Sequence, residues 1–305
     1  MGSVFVIKKR CEIGGYEMYS VLKKELWKAK NNPFFWLALL AGILMVLIHA
    51  KEAMKLVQSA YYGNMEIREI LQVPGFGNMD SCSLFLYWMP FTGYTLGSVF
   101  FYESWPLLAA IPFAWSYSQE RRSGYYLQSI SRSNKKHWYC AKFLAIFISG
   151  GVVTSVPLFV GLFVQALFAP AIPLKYEMMQ VVGIINADFL AALFYTHPWL
   201  YCFCWCGVQF MLGGSVAVLA FVFGSKVRFI TLAMLLPYAL CYVLAAAGSA
   251  LRSFVDVSFV TNVLHIAMPA PLARNPGWLI FSFIGIVTGV SYLAGYHQVM
   301  HHDLL

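Results

Sequence analysis

The sequence predicts an all-α, polytopic membrane protein that crosses the bilayer six times. Three observations predict it. The chain has 305 residues, 60% of them hydrophobic and only 11% charged, with mean hydropathy +0.67. An ordinary soluble domain is about 45–50% apolar and about 25% charged, so this chain carries more apolar surface than one core hides. Apolar runs alternate with polar stretches along the whole length. The lysines and arginines fall mainly on one side of that alternation, fifteen against six. The formal charge of +8 sits beside apolar runs, which points to membrane orientation and away from nucleic acid.

The first 33 residues carry seven lysines and arginines and no apolar core of secretory length, so no cleavable signal peptide is expected. Within them, Glu17 to Asn32 places Met18, Val21, Leu22, Leu26 and Ala29 on one stripe of a helix, with lysines on the other face. The expectation is an amphipathic helix lying flat on the inner membrane surface. Pro33 starts the first span, Pro33 to His49, as suits a proline in a first turn. This span is short, so it fits the bilayer tightly or its helix runs on past it. Residues 50–92 are broken by Glu52, Glu66, Glu69 and Asp80 and by the turn cluster VPGFGN, and read as an outer segment.

The second span, about Gly93 to Tyr117, holds Glu103 and two prolines, Pro106 and Pro112, which should bend it. A basic segment follows, then the third span, about Ala141 to Ala169. Residues 170–196 form a mixed outer stretch. The fourth span is His197 to Phe223 and the fifth Phe229 to Gly248, joined by the basic turn GSKVR. Ala250 to Gly277 is broken by Pro269, Pro271 and Pro276. The sixth span is Trp278 to about Gln298. With six spans both ends share a side, and the charge asymmetry makes that side the cytoplasm. No internal repeat or linker divides the chain, so one domain is expected.

Of seven cysteines, Cys202, Cys204 and Cys206 form the one cluster. C-x-C-x-C on a helix spreads the thiols around its circumference, so it reads as span filler and not as zinc ligation. Only Cys82 is placed outside, and no disulfide framework is expected.

The basic segment, Ser118 to Phe143, holds Arg121, Arg122, Arg132, Lys135, Lys136 and Lys142. As a topological anchor its charge is explained, but its pattern is not. Tyr125, Leu127 and Ile130, with Tyr126, give an apolar edge inside a polar stretch. A short helix here would present Arg121, Arg122 and Gln128 to the cytoplasm.

These residues resemble the ABC-2 type transporter permease family. Its members carry E-R-x-x-G-T, a downstream s-R-P, and a lysine where the third span begins. Glu120, Arg121, Gly124, Ser131, Arg132 and Lys142 match; Tyr125 and Ser133 stand where threonine and proline are usual. The motif covers about 25 residues, and the layout of the whole chain is similar. The resemblance implies that residues 119–136 are a coupling helix seated in a separate ATPase subunit. Glu120, Arg121, Arg122, Gly124, Tyr125, Leu127, Gln128 and Arg132 would form its contact surface. It also implies a second permease copy, short re-entrant helices between spans five and six, and the bacterial cytoplasmic membrane as location. The chain has no G-x-x-x-x-G-K-[ST], so ATP and magnesium are expected on the partner and no cofactor on this chain.

Rival classes need other signals. An intramembrane enzyme needs convergent polar groups, but Glu103, Gln165, Asp188, His197, Gln209 and His265 are scattered singly. Gly213–Ser215 reads as helix-crossing residues, and His301–Asp303 as a tail. A channel or secondary transporter needs charges inside spans, and only Glu103 qualifies, in the outer part of span two. Glu103 either snorkels to the surface or lines a translocation path with Gln165 and Gln209. The abundance of aromatics suits helix packing and equally suits a cavity for hydrophobic or amphipathic cargo such as a peptide, drug or lipid.

Overall fold

The computed structural model describes residues 18–71, 82–113, 116–125, 128, 134–176, 182–227, 229–254, 259–269 and 274–301. Ten α-helices occur among them. These are α1 (18–30), α2 (Pro33–Leu71), α3 (Leu84–Tyr87), α4 (Leu96–Ala110), α5 (Ser116–Arg122), α6 (Lys135–Ala166), α7 (Ala191–Thr196), α8 (Pro198–Lys226), α9 (Ile230–Phe254) and α10 (Gly277–His301). Single 3₁₀ turns sit at Met89–Phe91 and His265–Ala267. The architecture is a helical bundle, and five helices, α2, α6, α8, α9 and α10, are long and apolar enough to cross a membrane.

The expected first and sixth spans fall within α2 and α10; the third, fourth and fifth coincide with α6, α8 and α9 except for residues 167–169, His197 and Phe229 at their edges. The first runs on far beyond His49, because nothing between Lys51 and Leu71 breaks the backbone. The second differs. Its helix, fifteen residues long, stops at Ala110, and a turn follows at 111–113. Pro112 lacks the N–H that would continue the ladder. The start of α4 is pinned to α2, and the turn after it to the residue before α2. Leu96 N donates to Glu52 Oε2 at 2.8 Å, and Asn32 Nδ2 donates to Pro112 O at 2.8 Å. The segment 96–112 therefore runs antiparallel beside residues 32–52 of α2.

The centre of the bundle is the crossing of α6 and α8. Glycines make it close. A methyl group on Gly151 would stand 2.7 Å from the Phe210 carbonyl, and one on Gly150 would stand 3.1 Å from the Gly213 carbonyl. Thr154 Oγ1 donates across the same seam to Gln209 O at 3.2 Å. Three buried indoles stitch neighbouring segments to this core. Trp88 donates to Leu158 O, Trp105 to Leu264 O and Trp205 to Ala267 O, at 3.2, 3.2 and 3.1 Å. The last two hold the 264–268 segment, between α9 and α10, inside the bundle. Asn275 Nδ2 adds donations to Ile266 O and Met268 O. Outward faces of α2, α9 and α10 expose Leu37, Leu40, Leu235, Val243, Ile286 and Leu293, an apolar surface suited to lipid.

Candidate functional site

The apolar stripe of α1 does not face outward. Val21, Leu22, Leu26 and Ala29 pack against a cluster that includes Phe113, Tyr117, Trp138 and Phe221. This corrects the expectation of a helix floating on its apolar face. The break after α4 and the aromatic start of α6 create a protein surface that covers the stripe first.

Glu25 lies on that stripe and points into the same interior. Its side chain is 4% exposed and that of Lys142 is 0% exposed, so their contact is fully buried. Lys142 Nζ donates to Glu25 Oε2 at 2.7 Å and to Glu120 Oε1 at 2.9 Å, and stands 4.4 Å from the Phe113 ring centre. Its three protons thus meet two carboxylates and one ring face. Lys28 repeats the pattern. Its Nζ donates to Glu25 Oε1 at 2.6 Å and to Glu120 Oε1 at 3.1 Å, and lies 4.4 Å from the Tyr125 ring centre. Two acids and two bases alternate, so the formal charges cancel.

Burial alone would raise the Glu25 pKa, but Lys142 and Lys28 outweigh it and hold the carboxyl below its ordinary 4.5. For Lys28, burial pulls downward and the two carboxylates pull harder upward, so its pKa lies above the ordinary 10.5. Both groups are therefore charged at neutral pH. Glu120 Oε2 and Ser116 Oγ are buried with no partner among the described residues. Both residues border a cavity of about 380 Å³ that Lys28, Phe113, Gln119 and Tyr125 also line.

The cluster ties α1, the 116–125 segment and the start of α6 together. It gathers Glu120 and Lys142 from the sequence reading and adds Glu25 and Lys28, which that reading missed. The available signal was an acid interrupting the apolar stripe of α1. Arg121 and Arg122 are exposed in the last turn of α5. The helix ends there, because Gly124 adopts φ +72°, a conformation that favours glycine. Tyr125 lies beneath Lys28, and Gln128 is exposed. Leu127 and Arg132 lie outside the described residues. Residues 119–136 are not one helix: Lys135 and Lys136 belong to α6, whose first turn is capped by Asn134 Oδ1 accepting from Lys136 N at 3.0 Å.

The suggested path residues do not converge. Gln165 lies near the far end of α6. Gln209 is buried with neither amide atom partnered among the described residues. It is level with Thr154, roughly 16 Å along α6 from Gln165. Glu103 is half-buried on α4. Asp188 is occupied by backbone, accepting from Ile185 N at 2.8 Å and Asn275 N at 2.7 Å.

Gln165 instead joins a second polar cluster absent from the sequence reading. His49 Nδ1 is 2.7 Å from Thr95 Oγ1, and its Nε2 is 2.7 Å from Gln165 Nε2. Gln165 Nε2 also donates to Tyr87 O at 2.8 Å. His49 Nε2 also stands 2.9 Å from Tyr87 O, so no single neutral tautomer satisfies every contact: an Nε2 that accepts from Gln165 has no proton for that carbonyl. This cluster is neutral and clamps α2, α6 and the 87–95 segment. Among the described residues no three His, Cys, Asp or Glu side chains group as a metal site. No protein-family profile, curated protein or solved structure matches the chain.

Proposed function

We propose that the chain is the membrane-spanning subunit of an ATP-driven exporter of the ABC-2 permease kind, working with a separate ATPase and a second permease copy. The observation that carries this reading is the Glu25–Lys28–Glu120–Lys142 cluster. A force applied at the exposed end of α5 reaches α6 through buried, hydrogen-bonded ion pairs, which transmit displacement without slack. The same cluster delivers it to α1 and so to α2. Arg121 and Arg122 face outward at the point where an acidic groove of an ATPase would receive them.

In this reading α4 supplies the sixth crossing. Its fifteen residues rise about 22 Å, and with the turn that follows it runs beside residues 32–52, a stretch of about 30 Å, the thickness of a hydrocarbon core. With six crossings and the basic loops inside, both ends would lie in the cytoplasm of a bacterial cell. The 264–268 segment then dips in from the outer side as a re-entrant turn, its backbone satisfied by Trp105, Trp205 and Asn275. The cargo is hydrophobic or amphipathic, and this chain binds no ATP or magnesium.

The test is affinity purification in mild detergent with mass spectrometry. A stoichiometric soluble partner carrying a Walker A motif is expected. Reversing Arg121 and Arg122 to glutamate should reduce its recovery about tenfold or more, as for truncated interface charges. A chain that purifies alone favours the second reading, a channel or secondary carrier. The observation for that reading is the buried His49–Gln165 cluster, a titratable group held inside a span.

A further inference from the structure

We propose that the ridge Tyr19–Lys23–Trp27–Lys30 on α1, with Trp36 across the elbow, is a binding surface for an anionic phospholipid headgroup. The inference is independent of any ATPase partner. The four ridge residues are spaced by four, four and three, so they share one face of the helix. All four are exposed, Tyr19 at 63% and Trp27 at 66%, while Glu25 and Ala29 on the opposite face are buried. With its apolar stripe covered by protein, this ridge is what α1 offers to its surroundings.

Its charges differ from those of the buried cluster. Lys28 is neutralised by Glu25 and Glu120. Among the described residues no carboxylate pairs with Lys23, Lys24 or Lys30. The ridge is therefore cationic, with no paired carboxylate among the described residues. Its location narrows the counter-charge to lipid. Asn32 turns the chain through a two-residue elbow, and α2 begins at Pro33. From there the outward face is Phe34, Leu37, Leu40 and Leu44, all exposed. A lysine at the mouth of such a face stands at the phosphate level of a bilayer. Trp36 Nε1 donates to Lys30 O at 2.8 Å, fixing one indole beside that lysine. Trp27 presents a second. Indoles at both sides of a lysine suit the headgroup boundary, where ring and N–H find different surroundings. A soluble acidic partner would match the lysines but leave the adjoining leucines of α2 uncovered.

The experiment reconstitutes the full chain in bilayers of phosphatidylcholine mixed equally with phosphatidylglycerol, with bromine on the acyl chains of one lipid or the other. The Trp27 signal is the fluorescence difference between wild type and Trp27→Phe. Bromine on phosphatidylglycerol should quench it more strongly, with an enrichment of roughly thirtyfold, the combined preference of two lysines near an anionic surface. The preference should vanish in Lys23→Gln/Lys30→Gln, persist in Lys23→Arg/Lys30→Arg, and weaken with salt. Equal quenching by both lipids in wild type, or a preference kept by the glutamine variant, overturns the proposal. So does an absence of quenching by either lipid, which would mean that protein covers this face.

Discussion

At one end of the bundle four ionised side chains from three segments meet around Lys142. At the other, about 35 Å along α6, a histidine, a threonine, a glutamine and a backbone carbonyl meet around His49. Each cluster clamps α6 to α2 or its extension and to the segment flanking α4. They do so by opposite means. The first places full charges in the interior and cancels them in pairs. The second uses neutral donors and acceptors around one imidazole. The difference matters when a partner is removed. A charge left alone in the interior is far harder to accommodate than an unmet amide.

Lys142→Met should produce the largest effect. It leaves Glu25 and Glu120 with only Lys28 between them, a loss of about 3–5 kcal/mol in reversible unfolding in detergent. Adding Glu25→Gln to it should restore part of that stability. If the pair is no better than Lys142→Met alone, packing and not charge dominates this end. Gln165→Leu at the neutral end leaves Tyr87 O with His49 Nε2 as its remaining side-chain partner among the described residues, and should cost about 1–3 kcal/mol. A larger loss here than for Lys142→Met would break the contrast.

Acid sharpens it further. Glu25 is held below its ordinary 4.5 in the folded chain, so its contribution is complete above that pH. It disappears as the pH falls below 4.5 through the depressed value. The stability gap between wild type and Glu25→Gln should close over that acid range and stay constant from pH 5 to 7; a gap that is flat throughout removes the ion pairing. The smallest effect is expected of Gly124→Ala. A methyl group there meets no atom within 4 Å, so only the positive φ matters, about 1–2 kcal/mol. Loss of coupling without further instability would mark the turn as part of the force path.

The long apolar helices were legible from composition and periodicity, because a bilayer demands about twenty consecutive apolar residues and little else supplies them. The interruption at Pro112 was legible as a bend, since a missing N–H is a local fact. The partners of Lys142 were not. Glu25 is 117 positions away from it, and such pairing rests on how three helices meet. The acid on the stripe of α1 was visible but looked like one more charge in a lysine-rich helix. His49 was equally plain as the last residue of the first span, yet its bond with Thr95 depends on the antiparallel course of α4 beside α2. The coupling segment was read as too long because the αL turn at Gly124 leaves little trace in a string of polar residues.

The glycine seam between α6 and α8 has a consequence for permeation. With backbone atoms of the two helices this close at Gly150, Gly151 and Gly213, no ion, water file or solute can thread between them. Any conduit must skirt this wall along its flanks. The two helices act as a sealed partition, and open space lies only to either side of it.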